Sequence, residues 1–452
     1  MLRRTFDRIG AGLAMGVLLM LAGQSALAQA AGEVEFARGV GFAQSPGQVP
    51  RTLGKGLPLQ EGDRLTTSEG GSALVRLADG TRMTVRPNSE IVISQFRFQE
   101  SGTDNNLLLQ MVRGGFRAVT GLIAKSSPHA AKVQTSTATI GIRGTDFDAR
   151  LCTRDCGAES ARVAESARPD AVLASAKVVQ SEGDLFAVDA NNQRRRLVDG
   201  GSIYPGDVIE TGAGARAVVA FRDESRVTLG SSTRFRIDNF VFDDKNAGEG
   251  RFLASLLRGS VRALTGLIAK ANNRNVGFST ATATIGIRGT GFDASCPGDC
   301  TGNNLTLFAW LGAIAVTPQG QTALQVLQAG QGLFVSPTGE VQPITMPPAM
   351  EGPRPDQVPV PPKLFAAESV PDTLEGLFIY VRDGHIEVAT AGELLHLGRG
   401  EAGFAGPQGN TARPTDIPKF LDFDTLPLPD SRNWLLETVL RDQFIKPKNT
   451  CS

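Results

Sequence analysis

The chain has 452 residues, of which 46 are basic and 46 acidic, so its formal net charge is zero. This balance argues against a nucleic-acid-binding protein, which would carry an excess of basic side chains. The length is sufficient for two or three domains, and the abundance of Gly together with recurring Val, Thr, Ile and Phe indicates a β-rich fold.

The first 30 residues have the layout of a secretory signal peptide. Three Arg within residues 3–8 precede an apolar segment at residues 9–22. Ala26-Leu27-Ala28 then places small residues at the positions that signal peptidase recognises. We expect cleavage after Ala28, or after Ala30, which would leave a protein in the periplasm. An uncleaved anchor is the alternative, although the apolar segment is shorter than the roughly 20 residues of a membrane span.

The same segment bears on the export route. Arg3-Arg4-Thr5-Phe6 resembles the start of a twin-arginine signal, but Asp7 stands where an apolar residue is expected, which favours the general secretory route. No later segment is apolar enough to cross a membrane. We therefore expect no integral membrane segment after cleavage.

The chain contains a tandem duplication. Residues 56–98 align with residues 200–242 without a gap, and after a one-residue insertion Thr137 to Thr145 recurs letter for letter as Thr282 to Thr290. A shared tandem origin explains a match of this length. We call residues 56–149 the first repeat and residues 200–294 the second repeat.

Each repeat has the pattern of several short strands. In the first repeat an Asp79-Gly80 turn lies between two apolar segments, which is typical of a hairpin because Gly accepts a positive φ. The second repeat has Asp223-Glu224-Ser225 instead, so we expect a different turn type there. Residues 90–98 alternate apolar and polar with one change of phase, which predicts a strand with a bulge.

The order of these motifs resembles that of the FecR domain family. Gly-Asp at residues 62–63, Gly-Gly-Phe-Arg at 114–117 and Ile-Gly-Ile-Arg-Gly-Thr at 140–145 follow the family pattern, and the last block is its most specific part. The resemblance implies an all-β periplasmic domain, β-solenoid-like or sandwich-like, that binds a partner or senses a signal. Known FecR proteins carry a cytoplasmic anti-sigma segment before a membrane helix. Because only eight residues precede the apolar segment here, we do not expect direct control of a sigma factor.

These observations predict a division of the chain into six segments. They are a signal peptide at 1–28, a first FecR-like domain at 32–152, a linker at 153–172, a second FecR-like domain with closing strands at 173–342, a Pro-rich linker at 343–374, and a partial third β unit with a short C-terminal helix and tail at 375–452. The helix is expected from residue 431 to about residue 443. A polyproline ligand for another protein is the alternative interpretation of the Pro-rich linker.

Four cysteines form two closely spaced pairs, Cys152 with Cys156 and Cys296 with Cys300. In an oxidising compartment we expect disulfides, with free thiols or metal ligands as the alternatives. The three histidines, at positions 129, 385 and 396, have no spacing to the cysteines that suggests a zinc site, so no metal site is predicted. Cys451 is left as a free thiol or a partner for another chain.

Arg143 and Arg288 occupy the most specific motif of the two repeats. An exposed guanidinium there would bind an acidic ligand, but we favour a structural Arg bonded to backbone carbonyls or to Asp148 or Asp293. The other motif residues are also expected to be structural: Gly141, Gly144 and Thr145, and their counterparts Gly286, Gly289 and Thr290.

No catalytic residue and no cofactor is predicted, because the patterns of nucleophilic, metalloprotease and phosphate-binding sites are absent. The expected function is that of a non-enzymatic periplasmic binding or sensing module, with an unknown envelope protein or cell-wall component as its partner. A cell-wall or polysaccharide-binding protein is the alternative, in which tandem domains would add avidity. Two Trp and two Tyr are few for a protein that stacks sugars on aromatic side chains.

Overall fold

The computed structural model describes residues 30–126, 130–170, 172–287 and 289–423. These residues form two large sheets, of 15 and 17 strands, with only short helices between them, which confirms the predicted all-β fold. No helix in this part of the chain has the length and apolarity needed to cross a membrane. The expected signal peptide, the predicted helix after residue 430, His129, Arg288 and Cys451 lie outside the described residues.

The strands and helices follow one another in this order. The strands are β1 Gly32–Arg38, β2 Gly41–Gln44, β3 Arg51–Thr52, β4 Pro58–Leu59, β5 Arg64–Thr67, β6 Ser72–Leu77, β7 Arg82–Val85, β8 Glu90–Arg97, β9 Asn106–Val119, β10 Ala131–Gln134, β11 Thr139–Cys152, β12 Ala176–Glu182, β13 Leu185–Val188, β14 Arg194–Arg196, β15 Ser202–Ile203, β16 Val208–Thr211, β17 Arg216–Phe221, β18 Arg226–Leu229, β19 Arg234–Val241, β20 Arg251–Leu264, β21 Val276–Ser279, β22 Ala283–Ile287, β23 Gly291–Asp299, β24 Leu305–Leu311, β25 Ala313–Pro318, β26 Gln325–Gln328, β27 Gly332–Val335, β28 Val341–Ile344, β29 Gly376–Ala389, β30 Leu394–Gly398, β31 Ala402–Ala405 and β32 Thr411–Ala412. The α-helices are α1 Leu122–Ser126, α2 Cys156–Ala161, α3 Leu267–Ala271 and α4 Lys419–Asp422. Three 3₁₀ helices span Ala247–Glu249, Asn273–Asn275 and Pro355–Gln357.

The first sheet is assembled from two separate parts of the chain. It contains β1 to β11 and also β29 to β32, whereas the second sheet contains β12 to β28. Strand β29 pairs with β11 along its whole length, from Thr139 opposite Ala389 to Cys152 opposite Gly376. The strands expected to form a partial third unit therefore extend the sheet of the first repeat, and the second sheet is inserted between β11 and β29.

Both repeats are completed by the same kind of closing strands. In the second sheet β25 pairs with β22, so that Ile314 lies opposite Ile287. In the first sheet β29 pairs with β11, so that Ile386 lies opposite Ile142. The closing strands of the first repeat, β29 to β32, are thus equivalent to β24 to β28, although the entire second repeat separates them from β11 in sequence.

Alternating side chains of these strands fill two large apolar cores, the first within the first sheet and the second within the second sheet. In the second core Phe252 contacts Phe221 and Phe278, with ring centroids 4.4 Å and 5.4 Å apart, and Phe292 continues the row at 5.1 Å from Phe278. Offset and edge-on pairs of this kind stabilise a core beyond simple area burial. The predicted bulge is confirmed by a register shift in β8 between Ile93 and Gln95.

The turn before β18 corrects one expectation. Glu224 has a φ of 66°, in the same left-handed region as Gly80 with its φ of 85°, so the two repeats use the same turn conformation. The reason lies in tertiary contacts, since the backbone N–H of Leu267 donates to the carbonyl of Asp223 at 2.6 Å. The N–H of Gly266 also donates to Ser225 Oγ, at 2.8 Å. These bonds hold the turn in place without a glycine.

Candidate functional site

The motif threonine joins three segments in each repeat. Thr145 Oγ1 donates to the carbonyl of His385 on β29 at 2.9 Å, and its N–H donates to Thr120 Oγ1 at 2.7 Å. In the second repeat Thr290 Oγ1 donates to the carbonyl of Ala313 at 2.6 Å, and its N–H donates to Thr265. The specific motif therefore lies where the closing strands meet each repeat.

The motif glycines lie at the same junction. Gly144 and Gly289 have φ values of 54° and 69°, in the region that favours glycine. A Cβ at Gly384 would lie 2.4 Å from the carbonyl oxygen of Gly144, so the turn of β29 also requires a glycine at this close approach. Gly141 and Gly286 lie in strands, where a Cβ would be in ordinary contact with Glu387 and Ala315, respectively, at 3.7 Å.

The half-buried Arg143 lies beside His385 and Glu387 and not beside the aspartate considered in the sequence. Asp148 accepts from Arg382 Nε at 2.7 Å, and Asp293 accepts from Arg262 Nε and Trp310 Nε1, both at 3.1 Å. Burial lowers the pKa of Arg143, and the charge of Arg196 lowers it further, while Glu387 opposes both effects. Because Arg196 belongs to β14, this charge comes from the second sheet.

The two cysteine pairs are at disulfide distance. Cys152 ends β11 and Cys156 begins α2, with their Cα atoms 5.6 Å apart. The Cα atoms of Cys296 and Cys300 are 5.3 Å apart, and both separations are usual for disulfides. Both pairs are buried. Cys152 ends β11, which carries the motif of the first repeat, and Cys296 lies in β23, the strand that follows the motif of the second.

The start of the second sheet covers the closing hairpin of the first, β29–β30. A Cβ at Gly200 would lie 2.1 Å from Cγ of His396, so the backbone there is packed directly against the imidazole ring. Tyr204 Oη accepts from the N–H of Arg399 at 2.8 Å. This contact between the two sheets brings together most of the buried charged side chains described below.

A charged cluster lies at this contact and consists of Asp170, Lys177, Glu401 and Arg413. Lys177 Nζ donates to Glu401 Oε2 at 2.8 Å, and Arg413 Nε donates to the same oxygen at 3.1 Å. Asp170 Oδ1 accepts from the N–H of Ala402 at 3.0 Å. All four side chains are buried, so each charge depends on its neighbours.

Burial sets the titration of this cluster. It lowers the pKa of Lys177 to about 8 and raises the pKa of Asp170 to about 7. Burial also acts to raise the pKa of Glu401, but the charges of Lys177 and Arg413 outweigh it and hold that pKa below its usual value. The Lys177–Glu401 pair is therefore ionised at neutral pH.

A histidine cluster lies on the outer face of the same hairpin and consists of His385, Glu387 and His396. The register places Glu387 opposite His396, and His396 Nδ1 lies 3.4 Å from His385 Nε2. One potential ligand atom from each of the three residues lies within 4.8 Å of the other two. Burial lowers the pKa of both histidines, well below the usual value for His385, so the rings are neutral at pH 7.

The sequence contains only a partial signal for this cluster. His385 and Glu387 are two residues apart in a strand and so share one face, but His396 joins them only through the hairpin register. The sequence prediction depended on histidine spacing relative to the cysteines, and no cysteine belongs to this cluster. No cluster of this kind was predicted from the sequence.

The fold and this contact define an all-β protein built from two equivalent motif-bearing repeats with matching closing strands. The family model described as "FecR protein" matches residues 63–165 and 207–305. The chain therefore carries two regions that match the FecR family model, and these regions coincide with the two repeats. This family is regulatory and not catalytic.

Among solved structures, the chain is similar to two crystal structures, at 1.65 Å and 2.50 Å resolution, of a candidate anti-sigma factor from Parabacteroides distasonis ATCC 8503. Each match has 17% sequence identity and a TM-score of 0.25. It covers 31% of this chain and 60% of that chain. No curated protein matches the sequence.

Proposed function

We propose that the protein is a non-enzymatic, exported module of the cell envelope that binds a protein partner and takes part in signal sensing. The match of both repeats to the FecR family model supports the regulatory role. The signal-like N-terminal sequence and the two cysteine pairs at disulfide distance support an oxidising, extracytoplasmic location. The observation that carries the binding role is a difference between the closing strands of the two sheets.

The closing face of the second sheet is open, whereas the equivalent face of the first sheet is covered. We define the closing face as the outward-facing residues of β22, β25 and β26, together with the residue before β26. These residues are Thr284, Gly286, Ala315, Thr317, Leu324 and Val326. Leu324 is 53% exposed and Val326 is 41% exposed. In the first sheet the position equivalent to Val326 is His396, which packs against Gly200.

The internal contact indicates what kind of surface fits the closing face. In the first sheet the covering elements are β-strands and turns, with Gly200 and Ser202 in close contact with the hairpin. We infer that the partner is a folded envelope protein that presents a comparable β-rich surface with small side chains. Exposed apolar side chains on a shared face are typical of such interaction sites.

The polysaccharide-binding alternative has less support from the described residues. The guanidinium of Arg354 lies 4.1 Å from the ring centroid of Trp310, and the Trp310 Nε1–H donates to Asp293. Tyr204 accepts from the backbone at the contact between the sheets, and Tyr380 is buried. These three aromatic side chains are engaged within the fold and offer no open platform for a sugar ring.

We also infer a structural role for the motif residues Gly141, Arg143, Gly144 and Thr145, and for Gly286, Gly289 and Thr290. Their contacts join the closing strands to each repeat. The domain division that accords with the strand pairing has the second FecR-like domain inserted between β11 and the closing strands of the first.

Affinity capture from crosslinked periplasm tests the proposed function. The bait is the full-length protein, compared with Val326→Asp on the closing face and with Val112→Asp as a matched control. Val112 is a strand valine of the first sheet that is 42% exposed, so it matches Val326 in residue type and exposure. We expect a specific envelope protein to be captured by the wild type and by Val112→Asp, and to be lost with Val326→Asp.

Sedimentation with purified peptidoglycan, run in parallel, separates the two candidate functions. Sedimentation that persists after protein partners are removed, together with equal capture by both variants, would contradict the interaction module and favour the cell-wall-binding protein. Hydrolysis of the purified wall would contradict a non-enzymatic role.

A further inference from the structure

The histidine cluster has a composition that the fold itself does not require. The second sheet carries Ala313, Ala315 and Val326 at the register positions equivalent to His385, Glu387 and His396. The closing strands of the second sheet form the same pairings without any of these polar groups. The cluster is therefore specific to the first sheet.

We propose that His385, Glu387 and His396 form a binding site for a divalent transition-metal ion, with Zn²⁺ as the ion that fits best. This inference does not depend on the envelope function proposed above. Two imidazole nitrogens and one carboxylate oxygen are an established ligand set for zinc, with the fourth position open to water or to another ligand. Imidazole also suits copper and nickel, so the ligand set selects the class of ion.

The spacing of the nitrogens supports the proposal. Two ligand nitrogens that are each roughly 2.0–2.1 Å from a tetrahedral Zn²⁺ ion lie about 3.3–3.4 Å from each other. His396 Nδ1 and His385 Nε2 are 3.4 Å apart. Bringing these two atoms into a zinc coordination sphere therefore requires little change in their separation, and Glu387 lies within reach on the same hairpin face.

The second ring nitrogen of His385 adds an independent observation. His385 Nδ1 is buried without a hydrogen-bond partner among the described residues. A buried polar atom of this kind is uncommon and costs free energy, so the position of this ring is not explained by hydrogen bonding within the fold. The ring stacks on His396, with the ring centroids 5.4 Å apart and an interplanar angle of 24°.

The charges around the cluster are mixed. Arg143, Lys177 and Arg413 are cations near it, but Lys177 and Arg413 are already bonded to Glu401. Asp199 lies near His396 and adds a negative charge to that of Glu387. All three cluster residues are partly exposed.

Calorimetric titration of the metal-stripped full-length protein with ZnCl₂, at neutral pH in a buffer that does not bind zinc, tests the proposal. We expect one Zn²⁺ per chain and a loss of affinity of about 100-fold or more in the double variant His385→Ala, His396→Val. These replacements are the residues that the second sheet carries at the same positions, so we expect them to preserve the fold. His129→Ala, which removes the third histidine of the chain, is the control and should bind like the wild type.

A second measurement keeps the test decisive if the double variant fails to fold. Cu²⁺ bound to the wild-type protein should give an electron paramagnetic resonance spectrum with coupling to two imidazole nitrogens, and Glu387→Gln should weaken Zn²⁺ binding while leaving the circular dichroism unchanged. Absence of saturable Zn²⁺ binding to the wild type would overturn the proposal. Binding that is lost with His129→Ala, or that is unchanged by the substitutions in the cluster, would overturn it as well.

Discussion

Lys177 Nζ lies 2.8 Å from Glu401 Oε2, and neither side chain is exposed to solvent. Lys177 belongs to β12 in the second sheet, and Glu401 immediately precedes β31 in the first. A single buried ion pair thus connects the start of one sheet with the closing strands of the other. Arg413 donates to the same carboxylate oxygen, so Glu401 serves two cations at once.

Replacing Glu401 should lower the free energy of unfolding more than replacing Lys177. Glu401→Gln leaves two buried cations without a counter-charge, and we expect a loss of about 3–5 kcal/mol in the free energy of unfolding. Lys177→Met leaves Glu401 paired with Arg413, so the loss should be smaller. Urea denaturation measures both.

Glu182→Gln, which breaks the exposed pair with Arg216, is the control and should cost less than about 1 kcal/mol. A loss for Glu401→Gln no greater than for this control would show that the buried pair does not hold the sheets together.

Asp170 should contribute stability to the folded protein that is lost as the pH rises from about 4 to about 7. The folded protein raises the pKa of Asp170 to about 7, chiefly through burial, so it keeps a proton that the unfolded chain has already lost over this range. Asp148, whose pKa is raised to about 6 by burial, acts in the same direction. Asp170→Asn retains the acceptor for Ala402 but removes this titration. We expect the decrease in unfolding free energy between pH 4.5 and pH 8 to become smaller by an amount on the order of a few kcal/mol.

Denaturation in urea at the two pH values measures this change. Asp299→Asn is the control, because that aspartate is exposed and its pKa is lowered by hydrogen bonds from Thr301, so it stays ionised throughout the range. An unchanged pH dependence in Asp170→Asn would contradict the assigned titration.

Both cysteine pairs should be oxidised in the exported protein. Each disulfide closes a very short loop, with a sequence separation of 4, so we expect each to contribute only about 2 kcal/mol. Thiol titration in denaturant should find one free thiol per chain, that of Cys451, and five after reduction. More than one thiol before reduction, in protein isolated from the periplasm, would argue against at least one pair.

Glu224→Gly should stabilise the protein. Glu224 adopts a positive φ that costs a non-glycine residue roughly 1–2 kcal/mol, and the equivalent residue of the first repeat is Gly80. Glycine removes this strain but makes the unfolded chain more flexible, so a net gain of about 0.5–1 kcal/mol is expected from thermal denaturation. Gly80→Ala, the reverse change, should destabilise by a similar amount. Destabilisation by Glu224→Gly would mean that the side chain contributes more than its backbone strain costs.

The repeat, the β-rich fold and the motif positions were predictable because they depend on local patterns. Asp79-Gly80, the alternation in β8 and the letter-for-letter motif are all legible within short windows of sequence. The pairing of β29 with β11 was not, because strand pairing between distant segments leaves no periodic signal. The turn at Glu224 was misjudged for the same reason, since Gly266 and Leu267, which hold it, come from another segment.

The candidate sites show the same limit. The cysteine pairs could be proposed from spacing and compartment alone, whereas Lys177 and Glu401 are far apart in sequence and had no recognisable motif. In the sequence, neither residue can be distinguished from an ordinary exposed charged residue. They meet only because the second sheet is inserted between β11 and β29. Their burial is a consequence of the tertiary arrangement.

Site-specific photocrosslinking in the native bacterium tests the proposed interaction most directly. A photoreactive amino acid at position 326, on the closing face of the second sheet, should crosslink to one envelope protein, while the same group at position 112 should not. The two positions are equally exposed strand valines, so the comparison isolates the surface. Equal crosslinking at both positions, or none at position 326 in protein shown to be exported, would contradict a binding role for the closing face.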